Sequence, residues 1–192
     1  MSRRERRITR REILRLAGVA VAAPYFVPAA ALGRGGRAAP SERITLGFIG
    51  VGNMGGAHLG PFLGNRGVQV VAICDVDRGK REDAARRTED AYAAERADGT
   101  FRGCETYNAF EELLSRDDID AVLVAVPDHW HAMIAIAACR AGKDVYCEKP
   151  LSLTIREARA MVNAARRYGR VFQTGSQQRS TGDFRRACEI VR

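Results

Sequence analysis

The chain has 192 residues, 28% of them charged, and a formal net charge of +8 at pH 7. The positive charge is concentrated in residues 1–43, which hold ten arginines and three glutamates, so residues 44–192 carry a net charge of only +1. A nearly neutral main part is not typical of a nucleic-acid-binding protein, and we expect no nucleic-acid partner.

The first 31 residues have the pattern of an export signal. Arg10 and Arg11 precede an uncharged, alanine- and valine-rich stretch, which small residues close. A basic start, an apolar middle and an Ala-x-Ala exit are typical of a signal peptide, and the paired arginines resemble a twin-arginine leader. A membrane anchor is the alternative, but two prolines interrupt a run that is shorter than the ~20 residues a spanning helix needs. We therefore expect residues 1–31 to be a cleaved signal for periplasmic export, which meets the membrane only in transit, and residues 32–43 to be a linker.

From residue 44 onward, short apolar runs of strand length alternate with helical patterns. The runs read ITLGFIG, VQVVAICD, AVLVAV, DVYC and VFQTG, with a weaker CETY. Thr154 and Glu157 have capping-box spacing, Asp128 is a candidate N-cap, and Gly169 suits a helix end. Continuous apolar strands separated by helices predict a doubly wound α/β fold, with a parallel sheet covered on both faces, across residues 44–175.

Residues 176–192 begin a helix, and we expect them to start a connection to a second domain that the chain lacks.

The five cysteines are scattered, odd in number and without a C-x-x-C pair. This pattern predicts small buried hydrophobic residues rather than a disulfide framework or a metal site.

The first strand leads into a glycine-rich turn that predicts dinucleotide binding. Gly50, Gly52 and Gly55 have G-x-G-x-x-G spacing between a strand and a helix, the context in which this motif is informative. Gly50 permits the tight turn, Gly52 lets the backbone approach a pyrophosphate, and Gly55 lets the helix pack close to the strand. The N–H groups at the start of the helix then face the anion.

A carboxylate at the end of the second strand points to the cofactor's identity. Asp75 lies 20 residues after Gly55, where an acid accepts hydrogen bonds from a ribose diol. Because Asp75 would repel a 2′-phosphate, NAD is favoured over NADP. Arg78 and Lys80 lie close downstream, so NADP stays an alternative.

Three further strand ends are expected at the same edge of the sheet, because ligands of such sheets bind beyond the carboxyl ends of the strands. They read AVPDHWHA, CEKP and TGSQQRS. His129 and His131 are two residues apart and do not share a helix face, so we predict no metal site there. A lysine at a strand tip is usually only solvated, but Lys149 stands between an acid and Pro150 at the mouth of the predicted cleft. We hypothesise a cis bond before Pro150.

In their order along the chain, these motifs resemble the glucose–fructose oxidoreductase/inositol dehydrogenase (Gfo/Idh/MocA) family, from about residue 44 to the end. The segments that carry the resemblance are GFIGVGNMG, ICDVD, AVPDHWHA, GKDVYCEKPLSL and TGSQQRS. The resemblance implies a Rossmann domain followed by a C-terminal α/β domain, which supplies much of the substrate pocket and is missing here. It also implies a homo-oligomer, because family members are commonly dimers or tetramers.

The resemblance further implies roles for individual residues. The implied cofactor-binding residues are Gly50, Gly52, Asn53, Met54, Gly55, Asp75, Pro127, His131, Glu148 and Lys149. Of these, Glu148 and Lys149 belong to the family's E-K-P signature and are the implied catalytic residues, with the lysine near the nicotinamide and the reacting hydroxyl. Gln177 and Arg179 would lie at the rim of the substrate pocket.

The implied reaction is hydride transfer between NAD and a secondary hydroxyl of a sugar or cyclitol. A cation at Lys149 would stabilise the developing alkoxide. One alternative is an NAD-dependent glycosidase of the same family, in whose signature a valine replaces the lysine. The other is a truncated domain that binds NAD without catalysis, because a cleft without its second wall would not hold substrate in reacting geometry.

Overall fold

The structure is a computed structural model that describes residue 39 and residues 42–192. The predicted signal peptide and nearly all of the predicted linker therefore lie outside the described residues. In the part of the chain that is described, no helix has the length and apolar character needed to cross a membrane.

Six strands form one sheet in the order β3-β2-β1-β4-β5-β6, and every neighbouring pair is parallel. The strands are β1 (Ile44–Ile49), β2 (Val68–Cys74), β3 (Glu105–Tyr107), β4 (Ala121–Val124), β5 (Asp144–Cys147) and β6 (Phe172–Thr174). The predicted α/β fold with a parallel sheet is confirmed, and the weaker CETY run supplies the edge strand β3. The order reverses beside β1, which lies between β2 and β4, and such a switch point is where open α/β sheets bind ligands.

Helices connect the strands. They are α1 (Asn53–Leu63), α2 (Arg78–Ala91), α3 (Ala93–Ala97), α4 (Phe110–Leu114), α5 (Asp128–Arg140), α6 (Ile155–Tyr168) and α7 (Gly182–Val191), with a short 3-10 helix at Gln177–Ser180. The predicted capping box at Thr154 is present, and Gly169 ends α6 in the left-handed conformation with φ +61°. Asp128 is the first helical residue rather than the predicted N-cap. Pro127 takes the cap position, and the Asp128 carboxylate accepts from His129 N at 2.9 Å instead.

The central strands of the sheet are buried on both faces. Consecutive residues of β4, from Val122 to Val124, are all fully buried, although successive side chains of a strand point to opposite faces. The thiols of Cys74, Cys139 and Cys147 are free and buried among the apolar core residues, as predicted, whereas Cys104 is half-buried and Cys188 is exposed. Helices therefore cover both faces of these strands. The strand ends and their polar groups lie at the carboxyl edge of the sheet.

The strand register aligns the groups at that carboxyl edge. The last residues of β1, β2, β4, β5 and β6 pair with one another across the sheet in a single row. The residues that follow them directly are Gly50, Asp75, Ala125, Glu148 and Gly175. Each of these five donates its backbone N–H to the last residue of a neighbouring strand, at 2.8 to 3.2 Å. The glycine turn, the acid and the E-K-P segment thus begin at the same level of the sheet.

Candidate functional site

The three glycines of the turn after β1 are required for different reasons. Gly50 has φ +87°, and a Cβ there would lie 2.5 Å from the Ala125 carbonyl oxygen. A Cβ at Gly55 would lie 2.0 Å from the Gly50 carbonyl oxygen, so only glycine lets α1 approach the strand this closely. A Cβ at Gly52 would meet nothing within 4 Å. Because neither helix packing nor φ requires glycine at position 52, the open space beside it is available to a ligand.

The start of α1 is an anion site by its geometry. The first helical hydrogen bond runs from Gly56 N to Gly52 O at 2.7 Å, so the preceding N–H groups, including those of Asn53 and Met54, have no acceptor within the helix. The first turn of α1 contains no acidic residue. These N–H groups and the positive end of the helix dipole favour a phosphate in front of Gly52, which fits the predicted pyrophosphate.

Asp75 links the end of β2 to the glycine turn. Its Oδ2 accepts from Val51 N at 2.8 Å and its Oδ1 accepts from Asp77 N at 2.9 Å. A carboxylate has about four acceptor positions, so two remain for a ribose diol on this half-exposed side chain. Asp75 therefore fits the predicted ribose contact and has a second role, fixing the turn, which sequence reasoning missed.

The E-K-P segment forms a turn with one buried and one exposed charge. Glu148 is 2% exposed, while Lys149 is exposed and takes part in none of the ion pairs found among the described residues. The Lys149–Pro150 peptide bond is cis, as hypothesised. The lysine ammonium at the carboxyl edge is thus free to meet a ligand.

Both oxygens of the Glu148 carboxylate have protein donors. His58 Nε2 lies 2.7 Å from Oε1, and Lys149 N donates to Oε2 at 3.0 Å. Burial alone would raise the pKa of Glu148, but the hydrogen bonds from His58 and from Lys149 N outweigh it and lower the pKa below its usual value. Glu148 is therefore ionised at neutral pH, and since a carboxylate only accepts, His58 carries a hydrogen on Nε2.

The negative charge of Glu148 also acts on its neighbours. Burial, followed by this charge, raises the pKa of the Cys147 thiol to about 12, so Cys147 is not a candidate nucleophile. Burial and the same charge raise the pKa of the Tyr146 hydroxyl. Lys149 is consequently the group of this segment that is both charged and accessible to a substrate.

His131 approaches the same segment from α5. It is 1% exposed, and its Nδ1 lies 2.6 Å from the Pro150 carbonyl oxygen, which fixes the hydrogen on Nδ1. Its Nε2 is buried and has no hydrogen-bond partner among the described residues. A buried acceptor without a donor is uncommon and calls for a partner, which a bound ligand can supply. Pro127, the exposed N-cap of α5, lies one helical turn before His131.

The two predicted rim residues stand apart from this cluster. Gln177 and Arg179 lie in the 3-10 helix after β6, and both are exposed. Gly175 comes closer, since a Cβ there would lie 2.5 Å from Glu148 Oε1. The structure therefore brings together the glycine turn, Asp75, His131 and the E-K-P segment, and leaves the rim residues solvated.

Sequence reasoning missed His58 entirely. It lies 90 residues before Glu148 and is a single histidine within α1, without a charged neighbour that marks it. Its role becomes visible only when the sheet order brings α1 against the tip of β5.

A cavity of about 560 Å³ lies elsewhere, beside β3. Most of its charged side chains pair with one another, as in Arg96–Glu89 at 3.0 Å and Arg116–Asp118 at 2.7 Å. We therefore place the functional site at the carboxyl edge, where open groups converge, and not in this cavity. Within residues 42–192, no three histidine, cysteine or acidic side chains are grouped so that they could hold a metal ion.

Comparison with known proteins identifies the family and the fold. A family model described as "Oxidoreductase family, NAD-binding Rossmann fold" (Gfo/Idh/MocA) matches residues 44–176. A glycosyl hydrolase family 109 protein from Shewanella pealeana is 36% identical over 126 residues, which are 66% of this chain and 27% of that protein. Inositol 2-dehydrogenase from Salmonella typhimurium is 33% identical over 138 residues, which are 71% of this chain and 38% of that protein.

Solved structures show the same architecture. An NAD-binding protein from Listeria innocua superposes with a TM-score of 0.60 at 30% identity, covering 74% of this chain and 38% of that one. Myo-inositol 2-dehydrogenase from Lactobacillus plantarum gives a TM-score of 0.63 at 26% identity, covering 78% of this chain and 41% of that one. The chain spans well under half the length of each of these four relatives.

Proposed function

The chain belongs to the Gfo/Idh/MocA oxidoreductase family, and on that premise we propose that it forms the nucleotide-binding part of an NAD-dependent oxidoreductase acting on a secondary hydroxyl of a sugar or cyclitol. One arrangement supports this function above all others. The free N–H groups of α1, the Asp75 carboxylate and Lys149, which forms no ion pair within the described part of the chain, lie at one edge of the sheet.

Different residues bind different parts of the cofactor. The N–H groups at Gly52, Asn53 and Met54 hold the pyrophosphate, for the reasons of helix geometry given above. Asp75 accepts from the adenosine ribose through its remaining lone pairs. On the other side of β1, Pro127 and His131 border the nicotinamide half, and the buried Nε2 of His131 has no hydrogen-bond partner among the described residues.

Lys149 supplies the charge that the reaction needs. A bound nicotinamide would supply the hydride chemistry at the carbon that bears the hydroxyl. Lys149 orients that hydroxyl and stabilises the oxygen as negative charge develops on it, because its ammonium is exposed and has no competing ion pair among the described residues. Glu148, buried and doubly hydrogen-bonded, holds the turn.

The charges around Asp75 support NAD rather than NADP. Arg78 and Lys80 are the nearby cations that could bind a 2′-phosphate. Arg78 Nε is 2.6 Å from Glu82 and Lys80 Nζ is 3.5 Å from Asp77, so an acid on the same helix or at its cap engages each of them. We expect NADH to bind more tightly than NADPH, and equal dissociation constants would contradict this preference.

The activity can be tested on the purified protein. We expect NADH to form with a member of a sugar and cyclitol panel, and Lys149→Ala to lower kcat by about 10²- to 10⁴-fold, the range for removing a positioned acid–base or electrostatic group. NAD binding should change little, because the pyrophosphate and ribose contacts stay. Turnover that survives Lys149→Ala would remove the lysine from the mechanism.

A glycosidase is the second candidate, and the 36% identity to a glycosyl hydrolase family 109 protein favours it. Such an enzyme would oxidise the sugar only transiently. Release of nitrophenol from aryl glycosides without net NADH formation would support it, whereas net NADH formation supports the dehydrogenase. Lys149 favours the dehydrogenase, on the resemblance described above.

We also propose that the protein is exported to the periplasm by the twin-arginine route and acts as a homo-oligomer. The paired Arg10 and Arg11 support the export proposal. Replacing both with lysine should leave the protein in the cytoplasmic fraction; unchanged export would contradict the route.

A further inference from the structure

A half-buried imidazole and a buried carboxylate connect α1 to the turn of the E-K-P segment. His58 on α1 places Nε2 2.7 Å from Glu148 Oε1, and the two side chains are 19% and 3% exposed. The other oxygen of Glu148 accepts from the N–H of Lys149 at 3.0 Å. A continuous chain of contacts therefore runs from α1, through one carboxylate, to the backbone of the lysine.

The carboxylate has little freedom to move from this position. A Cβ at Gly175 would already lie 2.5 Å from Oε1, so the β6 end closes one side. The His58 ring packs edge-on against Tyr146, with centroids 5.6 Å apart and planes at 72°. Glu148 N itself donates to Val124 O at 2.9 Å. The orientation of the carboxylate is thus set by β4, β6 and His58 together.

A second histidine holds the other side of the lysine. His131 Nδ1 donates to the carbonyl oxygen of Pro150, the residue after Lys149, at 2.6 Å. The Lys149 backbone is therefore fixed before and after its Cα, by Glu148 and by His131, while its side chain is exposed. A fixed backbone under a free side chain limits the region that the ammonium can reach.

We propose that His58 is a positioning residue for Lys149: by holding the Glu148 carboxylate it fixes the lysine backbone, so that α1 positions both the cofactor phosphate and the lysine ammonium. This rests on the proposed function in so far as Lys149 acts on the substrate. If His58 had only a structural role, replacing it would lower the stability of the whole domain. Amide exchange at Lys149 would then be accelerated no more than at any other residue.

The lysine content of the chain makes the proposal measurable. The chain has three lysines, at positions 80, 143 and 149, so lysine labelled with ¹⁵N gives three amide signals. Lys143 N donates to Ala138 O at 3.0 Å at the opposite end of β5 and serves as the internal reference. Amide hydrogen exchange at Lys149 then reports on the turn of the E-K-P segment, and exchange at Lys143 reports on the rest of the domain.

We expect His58→Phe to speed exchange at the Lys149 amide by at least about tenfold, the equivalent of 1.4 kcal/mol, and to leave Lys143 within about twofold. His58→Gln should restore the protection, because its Nε2 lies as many bonds from Cα as the histidine Nε2. His129→Phe is the matched control, since His129 is exposed and lies outside this cluster. Unchanged exchange at Lys149, or equal acceleration at all three lysines, would overturn the proposal.

Gly175→Ala gives an independent test that does not alter His58, in case His58→Phe fails to fold. It displaces the same carboxylate from the β6 side, so we expect the same local loss of protection at Lys149, and an unchanged Lys149 amide would again overturn the proposal. In the activity assay, His58→Phe should lower kcat with little change in the KM for NAD⁺, and His58→Gln should restore it. Equal losses in kcat for His58→Phe and His58→Gln would contradict a positioning role.

Failure of the proposed function can be distinguished from failure of the His58 proposal. If the wild-type chain does not bind NADH, the nucleotide proposal is wrong, whereas the exchange rates still decide whether His58 holds the Lys149 backbone.

Discussion

At the scale of single residues, the glycine turn separates packing from ligand binding. A methyl group at Gly55 would collide with backbone, but one at Gly52 would project into open space. The same motif therefore contains one glycine that the fold requires and one that is left to the ligand.

Gly52→Ala should weaken nucleotide binding without destabilising the domain. We expect the dissociation constant for NADH to rise at least about tenfold, because the added methyl group occupies the pyrophosphate position. The thermal midpoint should stay within about 2 °C, the effect of well under 1 kcal/mol in a domain of this size. Gly60→Ala is the control, since it also meets nothing within 4 Å but lies mid-helix, away from the turn. Wild-type affinity in Gly52→Ala would contradict our placement of the pyrophosphate.

Glu148 should make stability depend on pH in the acid range. The hydrogen bonds from His58 and Lys149 N lower its pKa in the folded state, so its contribution is complete above the unfolded-state pKa and is lost as the pH falls through the folded-state pKa. Urea unfolding of the wild type and of Glu148→Gln, followed between pH 7 and pH 3, measures this. The stability difference between the two should shrink on acidification, and parallel curves would contradict an ionised, hydrogen-bonded Glu148.

At the scale of elements, the strands and the cofactor turn could be predicted, but the contacts among side chains of distant elements could not. Apolar runs and the G-x-G-x-x-G spacing are local patterns, and they predicted the strands of the sheet and the start of α1. The contact between His58 and Glu148 joins residues 90 positions apart, and it depends on the strand order, which no local pattern encodes. The hydrogen bond from Val51 N to the Asp75 carboxylate likewise depends on the packing of separate elements, although Asp75 itself was predicted as a ribose ligand.

The start of α6 offers a test of a purely local prediction. The Thr154 side chain accepts from Glu157 N at 3.3 Å, and the Glu157 carboxylate accepts from Thr154 N at 2.9 Å. Thr154→Ala removes one half of this box and should cost about 0.5–2 kcal/mol of unfolding free energy. Thr154→Ser keeps the hydroxyl and should stay within about 0.5 kcal/mol. Equal losses in the two variants, measured by urea denaturation, would show that the cap hydroxyl is not what stabilises α6.

At the scale of the whole molecule, the parallel sheet puts two different environments at the two ends of one strand. Lys143 lies just before β5 and is buried, with its ammonium donating to Arg116 O at 2.5 Å. Lys149 lies just beyond the other end of β5 and is exposed at the carboxyl edge. A ligand at the carboxyl edge must therefore affect one of these lysines and leave the other unchanged.

The central claim is that a nicotinamide nucleotide binds at the carboxyl edge beside Lys149, and titrating the ¹⁵N-lysine-labelled chain with NAD⁺ tests it most directly. We predict a saturable shift of the Lys149 amide signal with no shift at Lys143. The same titration of Gly52→Ala should need at least about tenfold more nucleotide for the same shift, as the blocked pyrophosphate position requires. No shift at Lys149 at millimolar NAD⁺, or an equal shift at Lys143, would contradict the account.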